Sequence, residues 1–341
     1  MTPEDRFVEA LAALLSDGPP LVLGPGDDAA IIAREAGLLA ATTDMLVEGV
    51  DFLPGEDPER LGRRAVAVNL SDVAAMGARP EFFLLAIGFE SRRGPDYPLA
   101  VARGAIARGA DFGARLAGGD LSDAPQTVIT VALWGRPAGE PLRRKGAAPG
   151  DLVYVSGHPG EAAGGLRLAR RLEAFAEHGS LPTPHFPELP LEAERRLLAA
   201  YRDPTPRIGL GIALAEERLA SAAIDVSDGV GLDAARLARA SGIRVVFDRA
   251  LLPVSTTLHE LAATEDLDPL TLFFSGGDDY ELLFTVPPDA VPRLEERAPR
   301  LDVPVTRIGR VEEGSGAVLA DGRTRTDVSE LGHDHFAEAR R

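Results

Sequence analysis

Short apolar runs alternate with stretches of helical periodicity in two successive blocks of this chain, and this alternation constrains the fold more than any other feature. In the first block, residues 38–41 and 82–89 have the composition of buried strands, and apolar residues recur at helical spacing from Arg60 to Met76. The second block opens with a predicted strand, turn and helix over residues 152–175. Arg136–Gly150, between the blocks, is rich in Gly, Pro and Arg and predicts a domain linker. The pattern indicates an α/β (α+β) chain of two domains and leaves the strand order open.

With 341 residues, the chain is long enough for two domains that each bury a core. We expect a first domain at residues 1–137, a linker at 138–150 and a second domain at 151–341. The predicted strands are 38–41, 82–89, 127–134, 152–156, 222–226, 243–248, 280–286 and 303–311. The predicted helices are 60–76, 98–116, 161–175, 191–201 and 232–241.

The overall charge and the missing cysteine exclude several classes of function. A formal net charge of −17 argues against a nucleic-acid partner, because affinity for a phosphate backbone requires clustered Lys and Arg. The chain has no cysteine, so disulfides, zinc–thiolate sites, iron–sulfur clusters and thiol nucleophiles are excluded. Residues 1–15 lack the basic start and apolar core of a signal peptide, and no apolar run is long enough to span a membrane. We expect a cytoplasmic protein with no membrane partner.

A single lysine, Lys145, restricts the possible nucleotide-binding folds. P-loop proteins and protein kinases both place a lysine on the nucleotide phosphates. Lys145 has no glycine-rich loop before it and no Ser or Thr after it. Neither of these two folds fits the sequence.

Acidic residues cluster in six short motifs, most of them next to glycine. They are GPGDDA (24–29), TTD (42–44), NLSD (69–72), GGD (118–120), DVSDG (225–229) and SGGDDYE (275–281). We expect each motif at a strand end or a helix start, where Asp commonly serves in turns and caps. Together, however, they would leave many partly buried carboxylates without a cationic partner. Divalent ions shared with phosphate oxygens would resolve this conflict, and Mg²⁺ suits such a site.

Asp72 is the acidic residue that a turn or cap explains least well. It falls on or beside the apolar face of the predicted helix from Arg60 to Met76, where an unpaired carboxylate is costly. Its partner could be an arginine or a metal ion, or the side chain could have a capping role. The sequence leaves these alternatives open.

Taken in order, the motifs resemble those of the thiamine-monophosphate kinases, a family within the superfamily of aminoimidazole ribonucleotide synthetase and selenophosphate synthetase. The resemblance runs from about Asp5 to Phe336. It is carried by GDDAAII (26–32), TTDMLVEGVDF (42–52), RAVAVNLSDVAAMGARP (64–80), AGGDLS (117–122), IDVSDGVGLD (224–233), SGGDDYELLFTV (275–286) and GHDHF (332–336). It implies a two-domain aminoimidazole ribonucleotide synthetase-like fold and ATP-dependent phosphorylation of thiamine monophosphate, assisted by several Mg²⁺ ions.

The resemblance also implies roles for individual residues. The implied magnesium ligands are Asp28, Thr42, Thr43, Asp44, Asp72, Asp120, Asp225 and Asp228. The implied nucleotide contacts are Gly119, Asp120, Arg144 and Ser227. The implied contacts to the thiamine substrate are Asp51, Asp278 and His333. At these last three positions the chain departs from the usual family residues, which are His at 51, Glu at 278 and an aromatic residue at 333.

The resemblance further implies a homodimer formed through the N-terminal domains. We expect the apolar strands at 82–89 and 127–134 to close a shared sheet, because unprotected strand edges invite aggregation. Two other functions stay possible: an ATP-dependent ligase similar to aminoimidazole ribonucleotide synthetase, and a non-catalytic protein that binds nucleotide or thiamine phosphate. Selenophosphate synthetase and the hydrogenase-maturation relatives need a cysteine or selenocysteine that this chain lacks.

Overall fold

The computed structural model describes residues 21–23, 27–34, 37–177 and 186–334. These residues form two sheets with helices packed against them. The first sheet contains β1 (Leu21–Leu23), β2 (Ala30–Arg34), β3 (Gly37–Val47), β4 (Ala78–Phe89), β5 (Arg115–Asp123) and β6 (Val128–Pro137), in the order β1-β2-β3-β6-β4-β5. Its helices are α1 (Pro58–Ala75) and α2 (Asp96–Asp111). All strand pairs are antiparallel except β4 with β5.

The second sheet belongs to the C-terminal half of the chain. It contains β7 (Leu152–Ser156), β8 (Ala222–Val226), β9 (Arg244–Asp248), β10 (Glu281–Val286), β11 (Val305–Glu312), β12 (Ala317–Asp321) and β13 (Thr324–Asp327), in the order β13-β12-β9-β11-β7-β10-β8. The helices of this half are α3 (Glu161–Glu177), α4 (Leu191–Arg202), α5 (Ile208–Glu216), α6 (Val230–Ser241), α7 (Thr256–Thr264), α8 (Pro269–Ser275) and α9 (Val291–Arg297). None of the helices in the described ranges is long and apolar enough to cross a membrane.

Helix α1 forms the structural centre of the molecule. Its first turn is fixed by Asp57, whose side chain accepts a hydrogen bond from the backbone N–H of Arg60, an N-cap arrangement. Gly62 lets α1 approach α2 closely, since a Cβ atom there would stand 1.8 Å from the carbonyl oxygen of Val101. A Cβ atom at Gly104 of α2 would stand equally close to the carbonyl oxygen of Glu59. The two helices therefore pack backbone against backbone.

The largest buried cluster joins the two halves of the chain. Leu70 and Met76 of α1 belong to it together with Leu214 of α5 and Phe284 of β10. No helix or strand lies within residues 138–150, yet this segment is not free of the core, because Leu142 is buried in the same cluster. The boundaries expected at 1–137, 138–150 and 151–341 stay a prediction.

Several local expectations are wrong. The TTD and GGD motifs lie inside β3 and β5 rather than at strand ends. The helix predicted over 98–116 ends at Asp111, because Gly113 adopts a positive φ of 82° and the chain then enters β5. The strands expected to form an edge are central: β6 lies between β3 and β4, and β4 lies between β6 and β5. The edges of the described sheet are β1 and β5.

Candidate functional site

A cavity of about 1600 Å³ lies where β3 and the C-terminal half of α1 meet the end of β8 and the loop before β10. Twelve of the residues to which the sequence assigns a role line it: Asp28, Thr42, Thr43, Asp44, Asp51, Asp72, Arg144, Asp225, Ser227, Asp228, Asp278 and His333. They come from both halves of the chain. The fold thus brings residues as far apart in the sequence as Asp28 and His333 to one cavity.

Three carboxylates form the centre of this cavity. Asp28 precedes β2, Asp72 lies on α1 and Asp225 lies on β8, and one oxygen atom of each lies within 4.8 Å of the others. Asp28 Oδ1 accepts a hydrogen bond from Arg144 Nη2 at 2.7 Å. Asp28 Oδ2 is buried and has no hydrogen-bond partner among the described residues. A buried carboxylate oxygen without a partner is costly, so this atom needs a ligand.

Hydroxyl groups on α1 and β3 support two of the carboxylates. Ser71 Oγ donates to Asp225 Oδ2 at 2.7 Å, and Thr42 Oγ1 donates to Asp72 Oδ2 at 2.5 Å. Burial and the neighbouring carboxylates raise the pKa of Asp72 and of Asp225 well above the ordinary value. Burial also raises the pKa of Asp44 to about 6. The surrounding protein therefore does not neutralise the negative charge that these carboxylates carry when ionised.

The donor set identifies the kind of ion that this centre could hold. All candidate ligands are carboxylate or hydroxyl oxygens, and the chain offers no cysteine. Hard divalent cations such as Mg²⁺ and Ca²⁺ prefer such ligands. The orphaned Asp28 oxygen and the convergence of three carboxylates therefore fit an oxygen-liganded divalent cation.

Alternation along β3 separates the TTD motif between the two faces of the first sheet. Thr42 faces Asp72 of α1, and the backbone N–H of Asp44 donates to Asn69 Oδ1 at 3.1 Å. Thr43 Oγ1 instead donates to the carbonyl oxygen of Val131 on the neighbouring strand β6, at 2.9 Å. Strand geometry thus directs Thr42 and Asp44 toward the carboxylate centre and Thr43 away from α1.

Two arginines bring positive charge to the side of the cavity near β8. Arg144 pairs with Asp28, and its backbone N–H donates to the carboxylate of Asp27. Arg236 of α6 forms ion pairs with Asp228 and with Asp233, the latter at 3.0 Å. Asp27, Asp233 and Arg236 received no role from the sequence. The available signal was their position: Asp27 and Asp233 lie within motifs that carry the family resemblance, and Arg236 follows Asp233 by three residues on one helix.

Asp233 organises the loop after β8. Its Oδ2 accepts hydrogen bonds from the backbone N–H groups of Ser227 and Asp228, at 3.2 and 3.1 Å. Burial, followed by the charge of Asp228, raises the pKa of Asp233 to about 7. The C-terminal segment closes over this loop, where the backbone N–H of His333 donates to the carbonyl oxygen of Asp228 at 2.8 Å. The remainder of the GHDHF motif, His335 and Phe336, lies outside the described residues, as do residues 24–26 of GPGDDA.

The two acidic residues assigned to the substrate have well-defined partners. Asp51 Oδ2 accepts from the backbone N–H of Val47 at 2.8 Å and closes the turn after β3. Asp278 forms an ion pair with Arg64 and a hydrogen bond with Tyr280. Both side chains also line the cavity, so a structural role and a ligand contact are compatible for each.

Gly119 and Asp120 do not join the cavity. They lie on the exposed edge strand β5, opposite Leu85 and Ala86 of β4. Glycine is required at position 119, because a Cβ atom there would stand 1.8 Å from the carbonyl oxygen of Leu85. In the structure of this chain, the GGD motif is thus separate from the other five motifs.

Comparisons with known proteins agree with this architecture. The family model described as AIR synthase related protein, N-terminal domain, matches residues 26–136, and its C-terminal counterpart matches residues 148–322. A thiamine-monophosphate kinase of Salmonella typhimurium is 39% identical over 320 residues, which cover 92% of each chain. The chain belongs to the thiamine-monophosphate kinase family. The predicted two-domain fold of the superfamily is confirmed.

Two further relatives match nearly the whole chain. A thiamine-monophosphate kinase of Pyrococcus abyssi is 32% identical and covers 92% of this chain and 90% of its own. A solved structure of AaThiL complexed with AMPPCP and TMP is 31% identical, with a TM-score of 0.81 and coverage of 98% of this chain and 99% of its own. These relatives share both halves of the fold, not a single domain.

Proposed function

We propose that this protein transfers the γ-phosphate of ATP to thiamine monophosphate and forms thiamine diphosphate, with Mg²⁺ held in the carboxylate-lined cavity. One observation carries the proposal: Asp28, Asp72 and Asp225 converge within 4.8 Å in a member of the thiamine-monophosphate kinase family. The solved relative that binds AMPPCP and TMP supports the choice of both substrates.

The residues that would hold magnesium are those of the carboxylate centre, with Asp44 and Thr42 at its margin. We extend the set to Thr43, Asp120 and Asp228 from the family resemblance. Bound Mg²⁺ would neutralise charge on phosphate oxygens and polarise the phosphate that is transferred. The aspartates would contribute by fixing the positions of the cations before any phosphate arrives.

The nucleotide phosphates would approach from the side of Arg144 and Ser227. Arg144 lies beside Asp28, so its guanidinium can contact a phosphate bridged to the same centre. Ser227 lies in the loop that Asp233 fixes by two backbone hydrogen bonds. The fixed backbone of that loop could therefore contact the phosphate chain.

The acceptor needs no strong general base. A phosphate monoester has a second pKa near 6, so its attacking oxygen is already mostly deprotonated at neutral pH. This agrees with a cavity that offers no lysine and whose single described histidine, His333, is held by its backbone to Asp228. The work left to the protein is to hold two polyanions in line, which favours direct transfer between them.

We also propose that the protein is a homodimer formed through the open face of the first sheet. Helices α1 and α2 cover one face only, and the other carries Phe82 stacked on Trp134 with a centroid distance of 5.2 Å. Met45 and Leu84 on this face are 56% and 41% exposed. Burial of this apolar face by a second copy would stabilise the sheet. Edge strand β5, with Gly119 and Asp120, borders the same face, so the proposed nucleotide contacts of these two residues depend on the assembled form.

The test is a product assay with purified protein. Thiamine monophosphate, ATP and Mg²⁺ together should yield thiamine diphosphate and ADP in equal amounts, and EDTA should abolish both products. Phosphorylation of free thiamine would contradict the proposal, because the proposed nucleophile is a phosphate oxygen. Binding of both ligands without ADP release would indicate the non-catalytic alternative, and ADP release without thiamine diphosphate would indicate ligase-like chemistry.

A further inference from the structure

Arg64 is a buried cation with no role in the chemistry described so far. It lies on α1, two turns before Asp72, and only 3% of its side chain is exposed. Its Nη2 lies 2.9 Å from Asp278 Oδ2, and its Cζ stands 4.6 Å from the centre of the Tyr201 ring. Two cavity-lining residues therefore contact Arg64: Asp278 through its carboxylate and Tyr201 through its ring.

The second oxygen of Asp278 is held as well. Tyr280 Oη donates to Asp278 Oδ1 at 2.8 Å. The backbone N–H groups of Asp278 and Tyr280 donate to the carbonyl oxygens of Ser227 and Val226, both at 2.8 Å. The loop that carries Asp278 is thus fixed to the strand β8, which carries Asp225 of the carboxylate centre.

The backbone of this loop is strained. Asp278 and Tyr280 have φ angles of 66° and 52°, in the left-handed region that non-glycine residues seldom adopt. Such conformations persist where surrounding contacts impose them, and they concentrate at ligand-binding sites. Here the imposing contacts are the ion pair with Arg64 and the hydrogen bonds to β8.

Stability alone explains Arg64 poorly. Its Nε and Nη2 are buried without a hydrogen-bond partner among the described residues, so Nη2 meets Asp278 as an ion pair only, and a buried guanidinium that is not fully paired costs free energy. An apolar side chain of similar length would fill this space between α1 and Tyr201 at lower cost. A buried charge that is incompletely paired and lies next to a cavity is typical of a functional site.

We propose that Arg64 is a positioning residue that orients the Asp278 carboxylate as a hydrogen-bond acceptor for the aminopyrimidine of the phosphate acceptor. This rests on the proposed function and on the substrate contact that the family resemblance implies for Asp278. An ionised carboxylate has about four acceptor sites; Tyr280 occupies one of them, and the ion pair with Arg64 holds the other oxygen. The remaining sites face the cavity, where the Asp278 side chain is 30% exposed. Because Arg64 neutralises its charge, Asp278 selects its ligand by hydrogen-bond direction rather than by attraction to the thiazolium cation.

The experiment compares Arg64→Met, Asp278→Asn and the double variant with wild type. Arg64→Met should raise KM for thiamine monophosphate and weaken its binding in calorimetry by about 10- to 100-fold, the range of one charge-assisted hydrogen bond. KM for ATP should stay within about twofold of wild type, and the double variant should lose no more than the stronger single variant, because both residues act through one contact. Arg64→Lys, which keeps the charge, should recover part of the loss.

A neighbour on the same helix provides the control. Arg63 pairs with Asp203 and Asp111 away from the cavity, so Arg63→Met should leave both KM values unchanged. Equal losses for both substrates, additive losses in the double variant, or no rise in KM for thiamine monophosphate would overturn the positioning role. If Arg64→Met fails to fold, Tyr280→Phe decides, since it removes one hydroxyl from Asp278 and should raise the same KM selectively. A wild-type protein that neither binds nor phosphorylates thiamine monophosphate would refute the proposed function itself.

Discussion

Replacement of Asp72 by Asn separates the role of the carboxylate centre in catalysis from its cost to stability. The substitution keeps the size of the side chain and an oxygen that can accept from Thr42. It removes one negative charge that lies within 4.8 Å of two others. At that distance two unit charges repel by about 3 kcal/mol with an effective dielectric constant of about 20. Partial protonation of the centre reduces this figure, so we expect a stabilisation of about 1–3 kcal/mol for the ion-free protein.

The gain in stability has a defined pH dependence. Asp72 in the unfolded chain loses its proton near pH 4, whereas burial and neighbouring carboxylates hold its pKa in the folded protein well above that value. Between these two values the folded state binds more protons than the unfolded state, so wild-type stability falls as the pH rises. Asp72→Asn removes this loss. Its Tm should therefore exceed that of wild type by about 2–8 °C near pH 8, and the difference should shrink toward pH 5.

Catalysis should respond in the opposite direction. Loss of a metal-holding carboxylate should lower turnover by about 100-fold or more. Calorimetric melting from about pH 5 to 8, with and without Mg²⁺, measures the stability effects, and a product assay measures turnover. Asp321→Asn, at a side chain that is 66% exposed on β12, is the control and should change neither. Near-normal turnover, or a Tm below wild type at pH 8 without Mg²⁺, would refute the role assigned to Asp72.

Three further substitutions test other parts of the structure. Asp278→Ala should raise KM for thiamine monophosphate by about 10- to 100-fold and leave KM for ATP nearly unchanged, whereas an equal rise in both would leave Asp278 as a turn residue. Leu84→Asp, on the open face of the first sheet, should convert a dimer into a monomer in light scattering, and a wild-type protein that is monomeric at micromolar concentration would contradict the dimer. Gly62→Ala should lower the free energy of unfolding by about 3 kcal/mol or more, because its Cβ would meet Val101. Its control, Gly209→Ala, lies in a helix with open space around it and should raise the free energy of unfolding by about 0.5–1 kcal/mol. Similar Tm values for the two variants would disprove the close packing of α1 and α2.

Residues that depend on local pattern could be predicted from the sequence. The apolar spacing around Asn69 and Asp72 placed Asp72 beside a buried helix face, and in the structure it lies there, half-buried, next to Asp28 and Asp225. The other cavity residues were assigned from the family resemblance, because no spacing rule brings residues 28, 72 and 225 together. The distance between them arises from contacts between α1, β3 and β8 that no short window of sequence contains.

Features set by long-range pairing could not be predicted. The composition of residues 82–89 and 127–134 did not indicate which strands would pair with them, and both strands are central in the sheet. Helix α5 was missed because it is apolar on nearly all sides, packs against α1 and β4, and so lacks a polar face that would reveal its period. Arg64 left a signal that went unused: a basic residue within an otherwise buried helical stretch needs an acidic partner.

The most direct test of the central claim follows the labelled phosphate itself. Wild-type protein incubated with thiamine monophosphate, Mg²⁺ and ATP labelled at the γ-phosphate should place the label on thiamine diphosphate, in an amount equal to the ADP formed. Chelation of Mg²⁺ should stop the transfer, and Asp72→Asn should slow it by about 100-fold. Label that appears only as inorganic phosphate, or that reaches thiamine diphosphate equally well with EDTA present, would contradict magnesium-assisted transfer in the carboxylate-lined cavity.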